Sequence, residues 1–294
     1  MRVVSYLRLM RPANLVTAVA DILAGIALSG FLITNVEGPY VPFFLLSLAT
    51  IGLYGGGVVL NDVFDAELDS VERPERPIPS GKVSKKQAAV LAIILYVVGI
   101  VFALQVSAVS GILAISIAIL ATIYDRFSKH HVVLGPVNMG LCRMLNLMLG
   151  VSIVGFIPDV KVYAGLIPLF FIAAITLLSR GEVHGAGRKL LLAAGICLLF
   201  VLGLLLGLSG FDEFSLLQAV PFMLVLILML VFPVRKAFIT GNSDDLRKAV
   251  KTGVLSLILI DAIIGAGFGG ILYGLLIVAL LPISIILAKT FAVT

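Results

Sequence analysis

Asn61-Asp62-Val63-Phe64-Asp65-Ala66-Glu67-Leu68-Asp69 closes a long apolar run in this 294-residue chain. Carboxylates so close to such a run are costly unless something cationic offsets them. At 100° per residue, Asn61, Asp62, Asp65 and Asp69 fall within an arc of roughly 100° on one helical face. Three acids and an amide are therefore expected to converge on one point, with Glu67 pointing off that face into water. Like charges at such range repel unless a divalent cation neutralises them, and an all-oxygen cluster suits a hard ion such as Mg²⁺. A metal that binds phosphate oxygens follows from that chemistry. The plainer reading of the same acids is a water-exposed helix end.

The run that precedes the acids is one of many. Apolar residues make up 61% of the chain and charged residues 13%, with a mean hydropathy of +1.18, far outside the soluble range. A bilayer core about 30 Å thick takes roughly 20 apolar residues per helix. Ten candidate segments satisfy this: 13–34, 40–62, 86–106, 108–125, 132–155, 161–180, 189–209, 214–234, 248–267 and 270–290. The Gly-rich turn from Gly265 to Gly270 can instead join two halves of one re-entrant element, so nine and ten spans both stand.

Short inner loops of membrane proteins collect Lys and Arg. Placing the N-terminus inside puts all 21 on the inner side except Lys161, outside, and Arg143, within a span. The predicted topology is thus a multi-pass protein of the cell membrane with a cytosolic N-terminus. Basic loops facing anionic lipid account for the +5 charge, and no nucleic-acid partner is required. The first apolar segment is too long for a cleavable leader, so the N-terminus is expected to stay. Cys142 and Cys197 lie inside predicted spans and are expected to remain unpaired. One membrane domain over residues 1–294 is expected, and nothing in the sequence fixes an oligomeric state.

Three inner loops are dense in charge: 62–86, 124–131 and 179–189. Chemistry is expected at that face. The ends of the second and sixth spans lie four helices apart and emerge on the same side, which hints at an internal repeat. Residues 69–84 read DSVERPERPIPSGKVS, where Pro74, Pro77 and Pro79 fix φ and remove donors, so a stiff non-helical lid is predicted. Ser84 followed by Gln87 reads as a capping box opening the third span.

The motif N-D-x-x-D-x-x-x-D at Asn61 to Asp69, followed by R-P-I-P-S-G at Arg76 to Gly81, resembles the first Asp-rich region of the UbiA superfamily of intramembrane prenyltransferases. Arg11-Pro12-Ala13-Asn14, Tyr124, Lys129 and the stretch Asn138 to Arg143 also resemble that family, and the likeness reaches about residue 190. It implies an all-α polytopic membrane helical bundle of nine to ten spans around a central cavity open to the cytosol. It also implies transfer of an isoprenoid from an allylic prenyl diphosphate to a small-molecule acceptor, with Mg²⁺ holding the diphosphate. Asp62, Asp65 and Asp69 are the implied metal ligands, with Asn61 on a phosphate or metal-bound water. Arg11, Asn14 and Arg76 are carried over from the matching motifs as substrate-binding residues. Lys129, Arg143 and Arg188 are candidates for the departing oxygens, since developing negative charge is best met by prepositioned cations. Tyr124 is placed to steady an allylic cation through its ring face. A guanidinium as deep as Arg143 needs an anion.

In one region the likeness breaks. The family ends its sixth span in a second Asp-rich motif, whereas this chain reads Ser179-Arg180-Gly181-Glu182-Val183-His184-Gly185. Glu182 can supply a carboxylate, His184 and Glu182 can act as acid and base, and Arg180 can stand in for a cation, though imidazole suits Mg²⁺ poorly. A transferase with one well-formed metal site and a non-catalytic lipid or small-molecule binder, or a transporter, on the same helices are both compatible with this change. Asp21 and Asp261, inside spans, keep transport open. Quinone precursors, chlorin precursors and glycerol phosphate ethers are all admissible acceptors, and no residue sets the prenyl length.

Overall fold

The structure is a computed structural model that describes residues 2–34, 40–182 and 185–291. These form helices α1 (Arg2–Met10), α2 (Pro12–Leu28), α3 (Phe31–Thr34), α4 (Val41–Phe64), α5 (Ala66–Glu72), α6 (Lys85–Val106), α7 (Ala108–Ile123), α8 (Leu134–Val151), α9 (Val162–Ser179), α10 (Arg188–Gly207), α11 (Leu216–Thr240), α12 (Ser243–Gly269), α13 (Ile271–Val278) and α14 (Leu280–Phe291). Among the described residues there is no strand. Among the described residues nine helices are long and apolar enough to cross a membrane, and α1 with α2, bent by 48°, makes a tenth. The expected all-helical membrane bundle is therefore present.

Helix α12 lies at the centre, with 78% of its apolar window buried, against 17% for α6 on the periphery. Helix α2 packs against it on one side and against α8 on the other, where Gly25 of α2 meets Gly150 of α8. The two backbones touch there: a Cβ on Gly25 would stand 2.8 Å from the Gly150 Cα. Small residues at a crossing supply contact where lipid offers helices no hydrophobic incentive to associate. The outer face of α6 presents Ile93, Ile94, Val97 and Val101, an apolar surface suited to acyl chains.

The Gly-rich stretch is not re-entrant. Helix α12 runs unbroken through Gly269, and the chain reverses at Gly270, whose φ of 95° favours a residue without a Cβ. Residues 271–291 then form a separate apolar segment long enough to span. At the other end, Arg11 links α1 to α2 with φ 48°, the one positive-φ non-glycine among the described residues. Pro12 at the start of α2 cannot donate to the preceding turn, which bends the pair there.

The loop after the acids starts later than the sequence predicts. Asp69 to Glu72 belong to α5, whose last turn is closed by Arg73 N donating to Asp69 O at 2.9 Å. From Arg73 the three prolines keep the chain out of a helix, yet the segment is pinned: Val83 packs into a core cluster with Leu9, Val59 and Val63. The capping box at Ser84 forms as predicted, with Gln87 N 3.2 Å from Ser84 Oγ and Ser84 N 3.1 Å from Gln87 Oε1. Lys161, at the opposite end of the bundle, pairs with Glu213 at 2.9 Å and lies 4.7 Å from the Phe268 ring centre. That pair holds the Glu213 carboxyl below its ordinary range.

Candidate active site

Helix α4 carries the acids out of the bundle and breaks at Asp65, after which α5 restarts. The four polar residues divide into two pairs instead of meeting at one point. Asp62 and Asp69, seven residues apart, point the same way and share Arg76: its Nη1 lies 2.6 Å from Asp69 and 3.5 Å from Asp62. Arg11 adds a second guanidinium to Asp62 at 2.6 Å. Asn61 and Asp65, four apart, face the end of α7, where Asn61 Nδ2 donates to Asp125 Oδ1 at 2.8 Å and Lys129 pairs with Asp65. The expected convergence is thereby corrected. Electrostatics explains it, because carboxylates in a low-dielectric setting move apart towards whichever cations are in reach. Among the described residues no group of three His, Cys, Asp or Glu side chains is close enough to hold a metal ion. The donors nevertheless fit a hard divalent cation in kind, being carboxylate and amide oxygens gathered at one helix end.

The end of α7 is wound wider than an α-helix. Residues Tyr124–Ser128 form a π-turn, in which Lys129 N donates to Tyr124 O at 2.9 Å. Five residues on an α-helix would set Tyr124 and Lys129 about 140° apart. The wide turn returns Lys129 to the side of Tyr124 and allows Asp125 and Lys129 to meet Asn61 and Asp65 in register.

Beneath this charged mouth is a cavity of about 400 Å³. Arg11, Asn14, Asn61, Tyr124 and Asp125 line its polar end, while Leu53, Ile117, Ile172, Ile175, Val254 and Leu257 line its walls. Arg143 reaches it from α8, but its charge already has a partner. Its Nε lies 2.9 Å from Asp21 Oδ2, off the N–H axis, so the contact is ionic and not a hydrogen bond. Its Nη2 donates to Thr17 at 2.7 Å, and its guanidinium stands 5.7 Å from the Tyr54 ring centre. Asn146 donates to Asp21 at 2.8 Å and accepts from Thr50 at 2.6 Å. Asp21 and Asp261 are fully buried beside each other and line no part of the cavity, which removes the observation that kept transport open.

The remaining candidates lie elsewhere. Arg180 spends its guanidinium on backbone, donating to Lys129 O at 2.9 Å and His131 O at 2.6 Å, and so clamps the turn after Lys129 to α9. Arg188 is exposed at the start of α10 and lines no part of the cavity. Glu182 is partly buried, and its carboxyl is pushed up by burial against the pull of Arg247, Arg73 and Lys251. His184 lies outside the described residues. Sequence reasoning missed Asp125, although an acid directly after Tyr124 at the end of an apolar run was a usable signal.

The model of the UbiA prenyltransferase family matches residues 22–250, more than three quarters of the chain. The chain belongs to the UbiA prenyltransferase family. Among its relatives, the digeranylgeranylglyceryl phosphate synthase of Methanosarcina mazei is 32% identical over 184 residues, covering 60% of this chain and 62% of that one. The chain therefore matches less than two thirds of that relative's length. A UbiA homologue from Archaeoglobus fulgidus superposes with a TM-score of 0.70 at 15% identity, covering 94% of this chain and 99% of that one. A structure of a UbiA homologue from the same organism bound to GPP and Mg²⁺ superposes at 0.57 with 13% identity, covering 94% and 99%. Both share the helical fold of this UbiA family member.

Proposed function

We propose that this UbiA family member is a Mg²⁺-dependent transferase that moves an isoprenoid from an allylic prenyl diphosphate to a small-molecule acceptor inside the bilayer. Residues 1–294 act as one transmembrane domain with the charged mouth and the N-terminus on the cytosolic side. The single observation that carries this reading is the joining of an apolar cavity to a mouth rich in both acids and cations. An apolar tail with a diphosphate head is the ligand such a site complements. The homologue bound to GPP and Mg²⁺ supports it from the fold, and the name of the Methanosarcina mazei relative points to a glyceryl phosphate ether as the acceptor.

Asp62, Asp65 and Asp69, on release from Arg11, Arg76 and Lys129, would hold Mg²⁺, which would supply charge neutralisation for the leaving diphosphate. Arg11, Arg76 and Lys129, now engaged by those acids, present guanidinium and ammonium groups to the same oxygens. Asn14 and Asn61 orient the headgroup from the cavity mouth. The Tyr124 ring faces the electron-poor allylic carbon, and the apolar walls keep water from it. Arg143 steadies the deep end of the cavity through Asp21 and Thr17, and Arg180 holds Lys129 in place through the turn it clamps.

Purified protein in nanodiscs, given geranylgeranyl diphosphate, Mg²⁺ and a panel of acceptors, tests this by pyrophosphate release. Release that needs both Mg²⁺ and one acceptor class is expected. Tight diphosphate binding with no turnover for any acceptor contradicts the enzyme reading and favours a binder.

A further inference from the structure

The rim next to the acids has the reverse charge. Arg247, Val250, Lys251, Val254 and Leu257 recur every three or four residues on α12, within roughly a 120° arc of one face. Val250, Val254 and Leu257 line the cavity, so Arg247 and Lys251 continue that wall to its edge. Arg247 Nη2 donates to Glu182 O at 3.2 Å, fixing the edge to the segment after α9, whose Thr176 and Ser179 also line the cavity. Arg73, at the end of α5, completes a set of three cations acting on the single Glu182 carboxyl. It stands one turn beyond Asp69, so this basic rim adjoins the acid corner.

We propose that Arg73, Arg247 and Lys251 form a docking site for a phosphomonoester, the charged head of the acceptor, at the edge of the cavity. The proposal rests on the transferase reading and adds to it the residues that hold the acceptor's phosphate and the side from which the acceptor enters. Arg247 also lies 3.7 Å from Asp244, so the three cations face the carboxylates of Glu182 and Asp244 and keep a net positive charge that draws a phosphomonoester, which carries about −1.5 to −2. Guanidinium groups grip phosphate through paired N–H donors. The region where the family carries a second acid motif here holds Glu182 amid cations, which suits an anionic acceptor better than a second metal. Anionic bilayer lipid shares this headgroup chemistry, and the experiment separates the two sources.

Octylglycerol phosphate and octylglycerol are titrated calorimetrically into the protein in phosphatidylcholine nanodiscs, then again with phosphatidylglycerol present. The wild type is expected to bind the phosphate and not the alcohol. Arg247→Gln with Lys251→Gln, both exposed positions, should weaken that binding about tenfold. Glu182→Gln should tighten it about threefold by removing the competing charge. Binding of geranyl diphosphate with Mg²⁺ should stay within about twofold in the double variant. Equal binding of phosphate and alcohol, no change in either variant, or complete suppression by phosphatidylglycerol overturns the docking site. Equal loss of geranyl diphosphate binding also overturns it, because the rim then belongs to the donor site. A wild type that binds octylglycerol phosphate but no geranyl diphosphate sinks the transferase reading and leaves the rim standing.

Discussion

Arg11 and Asp62 meet at 2.6 Å across 51 residues of sequence, and Arg11 holds a left-handed backbone to do so. That conformation costs a non-glycine residue about 1 kcal/mol, while a partly exposed ion pair returns at most about the same. Arg11→Gly removes both and is expected to shift Tm by less than about 3 °C. Affinity for an allylic diphosphate, measured by titration, should fall about tenfold. A large loss of stability with affinity intact would make Arg11 a structural brace only.

The Asp21–Arg143 pair is buried on both sides. Removing one partner strands the other charge, so Asp21→Ala should cost about 3–5 kcal/mol by thermal or denaturant unfolding in detergent. Asp21→Leu combined with Arg143→Met and Asp261→Asn should cost less than Asp21→Leu or Arg143→Met alone, because Asp261, buried beside the pair, is neutralised as well and no charge is left uncompensated. Additive losses would contradict the pairing.

Glu182 gives a pH dependence of definite sign. Burial raises its carboxyl above the ordinary range, so between the unfolded and folded values the native state binds more protons than the unfolded chain. Stability falls as pH rises through that window, and the penalty is complete above the folded value. Glu182→Gln is therefore expected to melt higher than wild type near pH 8 and to match it below the ordinary carboxylate value of about 4. A stabilisation that persists unchanged at low pH would exclude this origin.

Tyr124 lines the cavity beside Asp125. If its ring steadies an allylic cation, Tyr124→Phe should keep kcat within about threefold, while Tyr124→Leu should lose about tenfold, in line with cation–π energies of about 0.5–2 kcal/mol. Equal losses in both variants would assign the role to the hydroxyl instead.

The spans were legible because a bilayer demands long apolar segments, and the Ser84 cap because its hydrogen bonds are local. The acid corner was legible as a patch and not as a geometry. Spacing on one helix set Asp62 with Asp69 and Asn61 with Asp65, but the cations that separate the pairs come from Arg11, Arg76 and Lys129, two of them more than 50 residues away in sequence. The π-turn at Tyr124 left no local signature, so the sequence did not show that Lys129 returns to the side of Tyr124 or that Asp125 meets Asn61. Arg143 was rightly read as needing an anion, but the sequence did not indicate that Asp21, 122 residues earlier, provides it.

Calorimetric titration of geranyl diphosphate into the nanodisc-held protein, with Mg²⁺ and with a chelator, probes the acid corner most directly. Binding should require the metal in the wild type and be lost in Asp62→Asn and Asp65→Asn, while Glu67→Gln, on the exposed side of α5, binds as the wild type does. Affinity that is indifferent to Mg²⁺, or that survives both aspartate replacements, would show that these carboxylates serve only to hold Arg11, Arg76 and Lys129 in place.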